Sequence, residues 1–306
     1  MADETKIRPS DANAITRRYF DSILIEQRLV GAKTPSLRCT LLGKQFDTPV
    51  MMPAFSHLHI FAKEREDGMR EYARAAKALG ALNFVGMSEN EDFAGILEVG
   101  APTVRIIKPY ANRDKIFSQL AFAQEHGAWA VGMDIDHSFA SDGGPDDVFG
   151  EKMAPQTRSD LEEYIRATKL PFVVKGVLSV RDAQACAEAG AKAILVSHHH
   201  GRMPFAIPPL MVLPEIVRAV GGSIQVMLDC GIETGADVYK ALALGADAVA
   251  VGRAMMQPLV RDGAAGVEAC VRRINNELAM LMAFTGCASL AEMDPSVLWR
   301  DGRPMA

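Results

Sequence analysis

Short apolar runs that alternate with amphipathic segments constrain the fold of this chain more than any other feature. The runs lie at 49–54, 82–87, 103–108, 130–136, 172–175, 193–197, 225–229 and 248–252, and amphipathic stretches follow them at 67–79, 114–126, 158–168, 180–189, 214–220 and 236–244. Strands that are apolar throughout and separated by helices are buried on both faces, which is the condition of a parallel sheet covered by helices. Eight such units predict an α/β fold of the closed (β/α)8 type, the TIM barrel. A doubly wound open sheet is the alternative. Its first turn usually reads G-x-G-x-x-G, and here Pro53-Ala54-Phe55 stands in that place. Glycine recurs just before strands, in Leu79-Gly80-Ala81, His126-Gly127-Ala128, Ala189-Gly190-Ala191 and Leu244-Gly245-Ala246, as expected past a helix C-terminus where positive φ is required.

The chain is read as one domain over 1–306. Residues 1–45 are expected to form a helical and hairpin extension covering one end of the barrel. Segment 137–156 is the longest connection and is glycine-rich, a candidate lid. The net charge of −5 gives no reason to expect nucleic acid or an anionic membrane as partner, and no apolar run reaches the ~20 residues of a membrane helix. The N-terminus is polar, without a signal-peptide apolar region. Five scattered cysteines without C-x-x-C spacing point to reduced thiols in a cytoplasmic protein, with neither a disulfide framework nor a zinc site.

In such a barrel the chemistry sits at the C-terminal ends of the strands. Several ends here are polar. The fourth run ends Asp134-Ile135-Asp136-His137, the fifth Lys175-Gly176, and the sixth Ser197-His198-His199-His200-Gly201-Arg202. Histidine serves as a base near neutral pH, and arginine holds a carboxylate in two-pronged geometry. Neighbouring histidines on an extended segment point in opposite directions, so the three in a row are not expected to share a metal ion. The seventh and eighth ends, Asp229-Cys230-Gly231 and Gly252-Arg253, suit phosphate: glycine-rich turns and helix N-termini offer N–H groups, and Arg253 adds charge. The plainer alternatives are glycines that only close tight turns and a histidine held structurally.

Residues 171–293 resemble the C-terminal half of the FMN-dependent α-hydroxy-acid oxidase and dehydrogenase family. The resemblance rests on Val174-Lys175-Gly176-Val177, Ser197-His198-His199-His200-Gly201-Arg202, Leu213-Pro214-Glu215-Ile216-Val217, Leu228-Asp229-Cys230-Gly231-Ile232, Val251-Gly252-Arg253 and Phe284-Thr285-Gly286-Cys287. Residues 45–136 are similar more weakly, through Pro49-Val50-Met51-Met52-Pro53-Ala54. The resemblance implies FMN as cofactor, held by Ala54, Lys175, Ser197, Asp229, Gly231, Gly252 and Arg253. It implies His199 as the base, Asp136 as its carboxylate partner, and Arg202 as the anchor of an acidic small-molecule substrate. A homo-oligomer, with the tetramer as the family's form, is also implied. The alternatives are an FMN-dependent isomerase and a repurposed flavin-binding barrel.

Departures from the family cluster around the substrate. The family's Gln-Leu-Tyr-Val-Tyr aligns with Ile106, Ile107, Lys108, Pro109 and Tyr110, which leaves Lys108 and Tyr110 as substrate-side candidates. Asp134 replaces a threonine, His198 and His200 replace an asparagine and a glycine, and Glu233 replaces a phosphate-loop arginine. Each lost hydrogen bond to a charged group is worth about 1.5–3 kcal/mol. The substrate is therefore expected to be larger or differently functionalised than a simple 2-hydroxy acid.

Overall fold

A computed structural model describes residues 9–58, 65 and 67–305. The barrel strands are β1 (Val50–Met51), β2 (Asn83–Val85), β3 (Thr103–Ile107), β4 (Ala130–Asp134), β5 (Phe172–Val177), β6 (Ala193–Val196), β7 (Gln225–Leu228) and β8 (Ala248–Ala250). Strands β2 to β8 pair in parallel in sequence order, and β8 pairs in parallel with β1. The last seam, between β1 and β2, closes through a parallel bridge from Phe55 to Val85 and through Met52 N–H donating to the Leu82 carbonyl at 3.0 Å. The (β/α)8 barrel expected from the alternation is the fold.

The helices are α1 (Ala12–Asp21), α2 (Gly68–Leu79), α3 (Asn90–Leu97), α4 (Arg113–Glu125), α5 (Arg158–Arg166), α6 (Val180–Glu188), α7 (Pro209–Val220), α8 (Gly235–Ala243) and α9 (Met256–Phe284). Helix α7 starts five residues before the expected 214. Pro209 opens it at a position where the missing N–H costs nothing, and Pro214 is carried inside. Helix α9 is two helices joined at Gly263, whose φ of 60° and ψ of −140° are non-helical.

Period-two alternation decides what the barrel interior holds. Met51, Phe84, Val104, Ile106, Ala130, Val173, Ala193, Leu195, Met227, Ala248 and Ala250 form the inner core. Continuing the same parity upward gives Lys108, Asp134, Lys175, Ser197, Asp229 and Gly252 as the layer at the C-terminal mouth. Gly132 makes room beneath it, since a Cβ there would lie 2.1 Å from the Val173 carbonyl oxygen.

The expectation that 1–45 covers one end is corrected by the described part of that segment. The hairpin Cys39–Leu41/Lys44–Phe46 plugs the N-terminal end, with Leu41, Leu42 and Phe46 in the inner core. Helix α1 instead lies at the opposite, C-terminal mouth, where Thr16 meets His198 and Arg17 meets Asp237. The apolar side chains of the hairpin fit the open floor, whereas α1 carries polar groups that match the polar rim. Residues 1–8 lie outside the described residues. Among the described residues no helix is long and apolar enough to cross a membrane.

Candidate active site

A cavity of about 630 Å³ opens at the C-terminal mouth. At one end it is lined by Lys108, His137, Lys175 and His199, at the other by Asp229, Gly231, Gly252 and Arg253, with Ala54, Phe55 and Met87 between.

The first end is an interlocked charge cluster. Asp134 accepts hydrogen bonds from Lys108 Nζ at 2.6 Å and from Lys175 Nζ at 2.9 Å, with all three side chains under a tenth exposed. Burial opposes the charge on Asp134, but His199, Lys108 and Lys175 outweigh it and hold its carboxyl well below the usual range. Burial also opposes the charge on Lys175, yet Asp134, Asp136 and Asp229 raise its pKa on balance. For Lys108, burial wins and the pKa falls, because Asp134 is its main anion and Lys175 repels it.

His199 sits over this cluster. Its Nδ1 lies 2.8 Å from Asp136 Oδ1, 3.3 Å from Asp134 Oδ1 and 3.1 Å from Lys175 Nζ. Two carboxylates around Nδ1 favour a proton there, which leaves Nε2 as the acceptor on the cavity side. Burial lowers the His199 pKa, but Asp134 and the hydrogen bonds to both aspartates reverse this and raise it above 6.5.

Local geometry explains how Asp136 arrives. Strand β4 stops at Asp134, and Ile135–His137 forms a 3-10 turn, so strand alternation does not place Asp136. Gly176 does the placing. It lies in a β5 bulge, between Lys175 and Val177, with φ of +88°, and a Cβ there would sit 2.5 Å from the Asp136 carboxyl carbon. Burial and Asp134 both raise the Asp136 pKa, and its Oδ2 is buried with no hydrogen-bond partner among the described residues.

Other expected residues fall elsewhere. Ser197 is buried under the β6 loop, where its hydroxyl accepts from the His199 N–H at 3.0 Å. Arg202 donates to Asp146 Oδ2 and to the Phe139 carbonyl, both at 2.7 Å. Tyr110 is buried against Lys115, hydrogen-bonded to Gln119 and bridged to Met153, and does not line the cavity. The histidines flanking His199 hold helix α1: Thr16 Oγ1 is 2.9 Å from His198 Nε2, and Asn13 Oδ1 is 2.9 Å from His200 Nδ1.

Segment 137–156 is an ordered hairpin, Asp147–Val148 against Glu151–Lys152, whose Val148 and Phe149 reach the cavity. Two of its residues escaped the sequence reading. His137 Nε2 lies 3.3 Å from His199 Nε2, and its Nδ1 lies 3.1 Å from Asp146 Oδ2. Burial, reinforced by Lys108, pushes His137 down to about 3, so it is neutral. The only signal for it was its place directly after Asp136. Asp146 carried none.

The second end fits a phosphorylated flavin. Gly252 has a negative φ of −92°, and a Cβ there would meet only Phe55 Cζ at 3.9 Å. What the missing side chain leaves is ligand space beside Arg253. Gly231 is different. Its φ is +83° and a Cβ would strike Thr16 at 2.7 Å, so this glycine serves the packing of α1. The N-terminus of α8, expected to help hold phosphate, is already capped: Asp237 accepts from the Glu233 and Thr234 N–H groups at 3.1 Å each. Glu233 also lines this end. Flat apolar walls at Ala54, Phe55 and Met87, the buried Lys175 and the Gly252–Arg253 cradle match the parts of FMN.

The comparisons agree. A family model for FMN-dependent dehydrogenases matches residues 10–158 and 140–300. An L-lactate oxidase from Roseobacter sp. (strain GAI101) is 32% identical over 297 residues, spanning 85% of this chain and 79% of that protein. The glycolate oxidase of Spinacia oleracea is 28% identical over 326 residues, spanning 94% and 87%. A crystal structure of mandelate oxidase with benzoyl-formic acid superposes with a TM-score of 0.81 at 27% identity, covering 93% of this chain and 88% of that one. A mandelate oxidase variant carrying a monooxide FMN adduct gives a TM-score of 0.82 at 28% identity, covering 93% and 90%. The chain belongs to the FMN-dependent dehydrogenase family, and its cofactor is FMN.

Proposed function

We propose that the protein oxidises a 2-hydroxy acid, or a related acidic substrate, at the carbon bearing the hydroxyl. The observation that carries this is the His199 ring, with Nδ1 held on Asp136 at 2.8 Å and Nε2 turned toward the cavity beside Lys175. FMN, when bound, supplies the acceptor for the hydrogen and electron pair that leave the carbon. His199 Nε2 takes the hydroxyl proton, and Asp136 and Asp134 stabilise the imidazolium that results. Lys175 stabilises negative charge at the same end. Arg202 anchors the carboxylate, and Lys108 adds a cation to the pocket. Tyr110 is left out of the substrate set, because its hydroxyl is held by Gln119. In the phosphate set, Gly252 and Arg253 carry the argument, and Asp229 borders them.

The relatives named above are oxidases, which favours net oxidation over isomerisation. A reducing, cytoplasmic setting is part of the proposal and is supported by five cysteines that are all free. Homo-oligomerisation is part of it too, and sedimentation would measure it.

Replacing His199 with alanine tests the proposal. Turnover should fall by roughly 10²–10⁴, while the purified variant keeps its bound-FMN absorbance. Unchanged turnover with 2-hydroxy acids would overturn the assignment.

A further inference from the structure

Arg202 and His199 are both already engaged by one loop. Asp146 places a carboxylate oxygen 2.7 Å from Arg202 Nη2. Nine residues earlier, His137 places Nε2 at 3.3 Å from His199 Nε2. His137 therefore occupies the Nε2 face of His199, while its own Nδ1 lies 3.1 Å from Asp146 Oδ2. Arg202 Nη1 lies 3.1 Å from His137 Nδ1 and 3.3 Å from its Nε2, so the guanidinium, the imidazole and Asp146 form one contact group. A 2-hydroxy acid would take these same two positions, with its carboxylate on the anchor and its hydroxyl on the base.

We infer that Asp146 and His137 form an internal surrogate of the substrate, which a 2-hydroxy acid must displace from Arg202 and His199 in order to bind. This rests on the roles proposed above for those two residues. Charge bookkeeping points the same way. At the β3 to β6 end of the cavity, Lys108, Lys175 and Arg202 face Asp134, Asp136 and Asp146, so with the loop in place the formal charges of these side chains cancel. Releasing Asp146 uncovers one cation. The competition also sets specificity. A monofunctional carboxylate replaces only Asp146, and a simple alcohol replaces only His137, whereas a 2-hydroxy acid replaces both.

The test uses the FMN-loaded enzyme and 2-hydroxy-2-methylpropanoate, which has both groups but no hydrogen on the hydroxyl-bearing carbon and so binds without reacting. Calorimetry measures Kd, and trypsin cleavage after the exposed Lys152 reports release of the loop. Asp146→Asn removes the competing charge and should tighten Kd about tenfold (~1.4 kcal/mol). His137→Phe should tighten it severalfold, and Arg202→Met should weaken it at least tenfold. In the wild type, the probe should speed cleavage at Lys152. If Arg202→Met weakens binding but neither loop variant tightens it, the surrogate is overturned and the anchor stands. If Arg202→Met leaves Kd unchanged, the anchor assignment falls and the surrogate falls with it. A loop that opens because Asp146→Asn disorders it gives the same tightening, so misfolding confined to the loop does not mask the result.

Discussion

The two ends of the cavity are built on opposite plans. At β7 and β8 the wall is reduced: Gly252 gives up its side chain, and among the described residues Arg253 makes one long hydrogen bond, 3.3 Å to Asn13 Oδ1. At β3 to β6 the wall is filled, and Lys108, Asp134, Lys175, Asp136 and His199 satisfy one another. The open end is shaped for a ligand that stays. The filled end is shaped for one that comes and goes, since its polar groups, Asp136 Oδ2 apart, are satisfied when nothing else is present. The departures from the family's pattern fall mostly on the filled end, which locates what is particular to this protein in the substrate and leaves the cofactor site close to the pattern.

The sharpest way to break this contrast is Lys175→Met. Removing one partner from a buried ion pair costs about 3–5 kcal/mol, because the remaining charge is stranded. Asp134 keeps Lys108, so the lower part of that range is expected, read as a fall in the melting temperature of the FMN-loaded protein. No change would show that the cluster is wetter than its burial indicates.

Gly252→Ala probes the open end. Its methyl meets little protein, so stability without FMN should hold, while FMN affinity should fall about tenfold (~1.4 kcal/mol). Loss of stability with FMN affinity unchanged would show that the glycine serves the chain and not the ligand.

The pH profile of kcat/KM separates the ends without mutation. The neutral form of His199 is the active one, and its pKa lies above 6.5. Activity should therefore be lost on the acid side, with a midpoint above 6.5, and Asp134→Asn should move that midpoint down. Stability runs the other way for this group. A raised pKa stabilises the fold below about 6.5 and ceases to as pH rises through the folded-state value. Asp134, with a depressed pKa, contributes above its unfolded value near 3.8 and loses that contribution as pH falls through the folded-state value.

The smallest effect expected is at the rim. Thr16→Val removes the partner of His198 Nε2 and should cost about 0.5–1.5 kcal/mol, with kcat nearly unchanged because His198 docks α1. A large drop in kcat would place His198 in the chemistry.

Much of this was legible in the sequence because barrel strands repeat a period of two. Once the runs are aligned, Lys108, Asp134, Lys175, Ser197, Asp229 and Gly252 share a parity and so a layer. Asp136 breaks the rule. It arrives through a turn that the Gly176 bulge makes possible, and only the family resemblance pointed to it. His137 and Asp146 were not legible, since a loop hairpin brings them to residues 62 and 56 positions further along the chain, and no local pattern encodes that approach. The roles of His198 and His200 were likewise hidden until α1 was placed, because their partners, Thr16 and Asn13, lie more than 180 residues away.

The central claim is that the filled end passes a proton to His199 while electrons leave the same substrate. Anaerobic mixing of the FMN-loaded protein with a panel of 2-hydroxy acids tests it most directly. The account predicts that at least one acid bleaches the oxidised flavin spectrum, with a rate that rises with pH through a midpoint above 6.5. An oxidised spectrum that persists with every acid, in protein shown by calorimetry to bind them, would contradict it.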